Sequence, residues 1–361
     1  MITTIIATAI VLGILVFVHE LGHFIISKIM GVKVLKFSLG FGPKLIGKKI
    51  GETEYQIAVF PLGGFVKPLG EDPNEELKEE ERPRSFWAQP IWKRALIIGA
   101  GPFFNFFLAV AIFSLINIFV GIPLPPSSRI GEVSPSLPAD NAGLKRGDIV
   151  LSINGEEVTK WDNLSKIIRG SKGKDLLLKV KRNSEIIEIK VTPKPSNQKN
   201  LFGEEIQTFV IGITPYDEIA IQKVNPVIAV GTGILQTWQG IQLMVIGIVK
   251  IIERVIPAKE VGSLIMIGKL AGEQAQKGIL ELALFIAIIS INLGLINLFP
   301  IPILDGGHFL FLVLEAILRK PLSLKKMEIA QQIGLIFLIF LMLFAIYNDL
   351  IRYVFPGGFK F

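Results

Sequence analysis

From Met1 to Ser27 the chain carries a single formally charged side chain, Glu20. A run of that length is enough to cross the roughly 30 Å apolar core of a bilayer as a helix. Three further uncharged runs follow, Ala95–Val120, Leu282–Leu304 and Ala330–Asn348. Inside lipid each backbone N–H and C=O must be satisfied within the protein, so these runs are expected to be helices. Half of the 361 residues are hydrophobic and the mean hydropathy is +0.55, which also points to a membrane protein. The first run begins without a charged segment and ends in His and Glu rather than in a small-residue cleavage site, so it reads as a retained span.

The absence of cysteine excludes disulfides and thiolate ligands, leaving His, Asp and Glu to hold any metal. The net charge of +7 need not imply nucleic acid, because the loop from Lys28 to Arg94 holds twelve Lys and Arg and "RKPLSLKK" at 319–326 four more. Both loops are expected on the cytoplasmic side, with the amino terminus and the region after Val120 on the other. "VKVLKFSLG" and "TEYQIAVFPLGG" alternate as the strands of a β-hairpin, followed by a charged connector, "EDPNEELKEEERPR". Residues 129–194 have a soluble composition with strand and helix signals, and 203–215 could return as a strand.

The expected organisation is therefore a first transmembrane helix at 1–28, a loop with the hairpin at 29–94, and a second span at 95–120. A β-rich module at 121–215, an amphipathic region at 216–280 and a third span with its following segment at 281–318 come next. A short loop at 319–328 and a fourth span with tail at 329–361 complete it. The uncharged stretch 224–249 is long enough for a fifth span. Parity argues against one: residues at the end of the first span can meet residues just after Leu304 only if a single crossing intervenes between the second span and Asp305. It is read as an amphipathic helix on the outer side.

"HELGH" puts His19 and His23 at i and i+4 of one helix, on the same side, a spacing suited to two imidazoles on one zinc. Glu20 is adjacent and placed to take a proton from water at that zinc. Unpaired ionisable groups in an apolar run demand such a reason. A catalytic zinc usually has three protein ligands, and the third could be His308 or a carboxylate. Asp305 follows an apolar run, between the helix-breaking Pro300 and Pro302 and the glycines Gly306 and Gly307. It should pair or coordinate, whereas His308 reads more simply as an interfacial histidine one turn beyond. In the second span Gly99, Gly101 and Pro102 read as packing residues. Asn105, Asn292 and Asn297 are open between structural hydrogen bonds and contacts to the site or to an unwound peptide.

Together, "FVHELGHF", "FPLGGFVKPLGE", "RALIIGAGPFFNFFLAV", "INLGLINLFPIPILDGGH" and "IGLIFLIFLMLFAIYNDL" resemble the site-2 protease family of intramembrane zinc metalloproteases, in its bacterial regulator-of-sigma-E protease branch. The resemblance implies His19, His23 and Asp305 as ligands of one zinc per chain and Glu20 as catalytic acid/base. It implies a membrane-associated hairpin whose edge takes an unwound substrate strand. From the residues themselves, Asn105, Asn292, Asn297, Pro300, Pro302 and Gly306 are expected in substrate-binding or structural-support roles. The module with "SLPADNAGLKRGDIVLSINGEEV" looks like a PDZ domain, present once. The expected fold is thus a polytopic α-helical membrane protein of four transmembrane helices with an inserted PDZ-like domain, in a bacterial inner membrane. Its expected activity is proteolysis within single-span membrane proteins, such as anti-sigma factors or remnant signal peptides. A membrane zinc transporter and a non-catalytic PDZ scaffold are the rivals.

Overall fold

A computed structural model describes residues 2–71, 77–217 and 220–353. Met1 of the first run, residues 72–76 of the charged connector and the tail 354–361 lie outside the described residues. The α-helices are α1 (Ile2–Ile29), α2 (Ile91–Phe119), α3 (Pro138–Asn141), α4 (Trp161–Gly170), α5 (Pro226–Ile252), α6 (Leu264–Lys277), α7 (Ile279–Asn297), α8 (Asp305–Leu318) and α9 (Leu324–Tyr353). Contacts divide the chain into two units, one of Met1–Ile116, Val230–Ile246 and Pro257–Phe361, the other of Asn117–Ala229 and Gly247–Ile256.

The first unit is a helical bundle carrying a sheet. Its helices approach closely where side chains are small, the usual device when lipid removes a hydrophobic drive for association. Gly22 of α1 meets the Ala100 carbonyl of α2, where an added Cβ would come within 2.5 Å of the oxygen. Gly294 of α7 lies against the Pro102 carbonyl and Phe106, and Gly268 and Gly272 of α6 lie against Thr8 and Thr4 of α1. Ala7, Val11, Leu15, Ala271, Leu282, Phe285 and Ile286 form one core cluster of this bundle. Asp349 of α9 accepts hydrogen bonds from the Ser263 and Met266 N–H groups and the Ser263 hydroxyl, capping the start of α6.

The third apolar run does not stay helical to its end. α7 stops at Asn297, and Pro300 and Pro302 occupy an irregular turn before α8 begins at Asp305. Neither proline can donate an i→i−4 hydrogen bond, so the break lies where the prolines predict it. Gly306 and Gly307 let that turn fold back: a Cβ on either would run into the carbonyls of Leu298 and Phe299 or of Ile301.

Strands β1 (Val34–Ile50) and β2 (Thr53–Pro68) are longer than the expected hairpin. Gly40 and Gly42, with φ of +88° and +90°, bend β1 in the middle. As a result the segment around Ser38 is paired on both sides, Ser38 with Phe65 and with Gln56, and Leu39 with Gly64 and with Ile57. Residues 64–68 form an outer strand of this arrangement. The described part of the charged connector is tied to the sheet rather than free, through Lys33 to Glu81 and Arg84 to Glu52.

Among the described residues five helices are long and apolar enough to cross a membrane by length and composition, α1, α2, α5, α7 and α9. Four of these correspond to the four expected spans; α5 is the stretch read as amphipathic, and it is the least apolar of the five.

The second unit contains a four-stranded antiparallel sheet in the order Glu156–Glu157, Ile149–Ile153, Leu176–Arg182, Glu185–Val191. α4 contributes Leu164 and Ile168 to a core that includes Ile130, Val150, Leu178, Val180 and Ile211. The expected returning strand is two short ones, Glu205–Val210 beside Lys194–Lys199 and Ile213–Pro215 beside Ile130–Val133, separated at Gly212 with φ +86°.

Candidate metal centre and active site

His19 and His23 lie one turn apart on α1, and their Nε2 atoms are 3.3 Å from each other. Asp305 Oδ2 reaches both, at 3.2 Å from His19 Nε2 and 3.5 Å from His23 Nε2. The α7–α8 turn delivers this carboxylate, since the first residue of a helix that starts after Pro302 projects back towards α1. The three groups offer one ligand atom each within 4.8 Å of one another.

Asp305 Oδ2 is buried and has no hydrogen-bond partner. An orphaned carboxylate oxygen facing two imidazole nitrogens matches the N and O donor set of a three-ligand zinc site, and the chain has no thiolate to compete. His23 Nδ1 donates to the Ile97 carbonyl at 2.8 Å, which leaves its Nε2 lone pair for a metal. Gly101 of α2 lies directly beneath the pair. A Cβ there would overlap His23 Nε2 and come within 2.6 Å of His19 Cε1.

The site opens into a cavity of about 630 Å³ lined by Glu20, Val66, Trp87, His308 and Gln331 as well as the three clustered residues. Glu20 lines the cavity beside Val66 of the outer strand and packs over Gly64, where a Cβ would sit 3.1 Å from Glu20 Cγ. The strand segment 65–68 therefore forms one wall of the cavity beside Glu20.

Of the asparagines, Asn105 Nδ2 is 3.0 Å from His19 Nδ1, and Asn297 Nδ2 is 3.5 Å from both His19 ring nitrogens. Asn292 does not line the cavity. Pro300 does not line it either, and Pro302 packs where Gly307 and Gly334 leave room. His308, read as an interfacial histidine, instead lines the cavity, because the i+3 spacing from Asp305 keeps it on the same helix face.

Sequence reasoning missed the pair Arg94 and Glu315, two charges 221 residues apart joined by hydrogen bonds of 3.0 and 2.6 Å. The cue was a charge beside one apolar run, Arg94, and a charge inside another, Glu315, which names no partner.

Comparison with known proteins bears on the whole chain. The model of peptidase family M50 matches residues 7–341. A Campylobacter jejuni protein whose name is that of a zinc metalloprotease is 35% identical over 348 residues, covering 96% of this chain and 93% of its own. A Rhizobium meliloti protein similarly named is 32% identical, with 94% of each chain covered. The regulator of sigma-W protease RasP of Bacillus subtilis is 30% identical over 434 aligned positions, covering 97% of this chain and 99% of its own. The family match runs through "HELGH" and "LDGGH" alike, and with it the chain belongs to peptidase family M50.

Proposed function

We propose that this zinc metalloprotease cleaves peptide bonds within or beside the spans of single-span membrane proteins, with His19, His23 and Asp305 as zinc ligands and Glu20 as acid/base. The observation that carries the reading is the meeting of a His, His, Asp cluster, Glu20 and an outer strand in one cavity of a chain made largely of apolar helices. Zinc bound there supplies a Lewis acid that lowers the pKa of water and polarises a carbonyl. Glu20 accepts the proton of the attacking water as the new C–O bond forms, and returns a proton to the amine as the C–N bond breaks. The strand 64–68 holds an unwound substrate segment by main-chain hydrogen bonds, since an intact helix shields its own peptide bonds.

Four helices cross the membrane in this reading, and α5 does not. Its start packs beside the far end of α2 through Gly233 and Ser114. The segment just after it, at Ala258 and Val261, takes hydrogen bonds from Asn348, near the end of α9 remote from the cavity residue Met327. Gly233 and the segment at Ala258 and Val261 thus flank α5 at the bundle end remote from the cavity, which supports a helix that does not cross. With the basic loops cytoplasmic, the site faces that side and the amino terminus, carboxyl terminus and β module face outward. The β module is a PDZ-like filter that excludes substrates with large outer domains. The name of RasP points to control of a sigma factor, and we take anti-sigma factors and remnant signal peptides as the substrate class.

Glu20→Gln tests the core of this proposal: it should retain one zinc per chain and accumulate uncleaved single-span proteins in the membrane proteome. Wild-type cleavage by that variant would remove Glu20 from its role. Deleting 129–213 should release cleavage of full-length substrates, and loss of all cleavage would argue for recognition instead.

A further inference from the structure

Asn105 is fully buried on α2, and its amide is in contact with His19 on the side of the ring away from Asp305. If His19 uses Nε2 as a ligand, its Nδ1 must carry the proton, because a neutral imidazole has one N–H and one lone pair. His23 shows the arrangement: Nδ1 donates to a carbonyl, that of Ile97, and Nε2 faces Asp305. At His19 the atom 3.0 Å from Nδ1 is the Asn105 amide nitrogen, while Asn105 Oδ1 is buried with no partner. Two N–H groups would then face each other across a hydrogen-bond distance. The two ends of an amide are isosteric, so rotating it by 180° about its last bond replaces that repulsion with an acceptor.

We infer that Asn105 presents Oδ1 to His19 Nδ1–H and so fixes His19 in the tautomer whose Nε2 lone pair faces the metal. Asn105 is a positioning residue: it acts through His19 and needs no contact with substrate. Oδ1 has no hydrogen-bond partner where it now points, so rotating the amide breaks no bond of that atom. The backbone is held in place for this role, since the Asn105 carbonyl accepts a hydrogen bond of 2.7 Å from Ser290 Oγ of α7. Outer partners of this kind orient a ligating histidine and raise its basicity, and their loss typically weakens metal binding about 10–100-fold. The inference rests on the zinc-ligand reading above.

The test uses the full chain in detergent, comparing wild type, Asn105→Asp and Asn105→Leu. Zinc affinity is measured by chelator competition, and the site is inspected through the visible absorption of bound cobalt. A carboxylate is an acceptor only, so Asn105→Asp should bind zinc at least as tightly as wild type and keep its cobalt spectrum. Asn105→Leu fills the space without an acceptor and should bind about 10–100-fold more weakly. Weakened binding in Asn105→Asp would mean that His19 needs the amide N–H, and would overturn the proposal even if the Leu variant failed to fold. Wild-type affinity in Asn105→Leu would overturn it as well. Failure of the wild-type chain itself to bind zinc would remove the ligand assignment, a result distinct from either.

Discussion

Arg94, in the first turn of α2, donates two hydrogen bonds to Glu315 of α8, and the two side chains are only 5% and 14% exposed. Arg94 also stacks on Trp87, with its guanidinium 5.0 Å from the ring centre, and donates to the Gln89 carbonyl. The pair clamps the helix that starts with Asp305 to the helix that carries Gly101 and Asn105. Removing one partner of a buried ion pair strands the other, which costs about 3–5 kcal/mol, whereas replacing both with apolar groups of similar size is often neutral. Arg94→Met alone should therefore sharply lower the thermal unfolding midpoint in detergent, and Arg94→Met combined with Glu315→Leu should recover most of it. Equal destabilisation by the single and double variants would refute the clamp.

Gly101 and Gly99 are both glycines of α2, yet only Gly101 lies against the site. A Cβ at Gly101 meets the rings of His19 and His23, whereas one at Gly99 meets nothing within 4 Å. Gly101→Ala should weaken zinc binding by ~10-fold or more by pushing the imidazoles apart, as loss of ligand orientation does. Gly99→Ala should bind zinc as wild type does. Chelator competition on the two purified variants decides the matter.

Glu52, in the turn between β1 and β2, is held by Arg84 first and by Lys28 second, and its carboxyl is pushed down to about 2. A carboxylate depressed in the folded state contributes stability that is fully present above its ordinary value near ~4.3 and is lost as pH falls towards the folded value. The tie between turn and connector should therefore persist at neutral pH and loosen between about pH 4.5 and 2. Carboxyl NMR titration should find a Glu52 midpoint near 2. In Arg84→Ala the midpoint should rise towards the ordinary carboxylate range.

Because the native chain has no cysteine, single introduced thiols report topology without background. Lys250→Cys at the end of α5 should react with an impermeant maleimide from outside the cell, and Lys320→Cys only after permeabilisation. Labelling of Lys250→Cys solely from the cytoplasm would make α5 a crossing helix and overturn the proposed topology.

Some of this was legible locally. The spacing of His19 and His23 lies within one turn of one helix, so the sequence alone puts them side by side. The break after α7 follows from Pro300 and Pro302, whose missing N–H groups act wherever they occur. The apolar runs became helices because lipid leaves the backbone no other solution. Other features depended on groups far apart in the chain. Residue type and location favoured Asp305 over His308 as the partner of the histidines but could not place it; the geometry of the α7–α8 turn brings Asp305 Oδ2 within 3.5 Å of both rings and leaves His308 on the cavity wall. Arg94 and Glu315 carry no local mark of partnership, and the role of Asn105 depends on which ring nitrogen it meets. Periodicity and punctuation are properties of neighbouring residues, so sequence specified the elements and half of the site. Hydrogen bonds and ion pairs between distant segments exist only once the helices have packed, so the meeting of Asp305 with the two histidines, the groups behind those rings and the outer strand beside Glu20 were decided by tertiary structure.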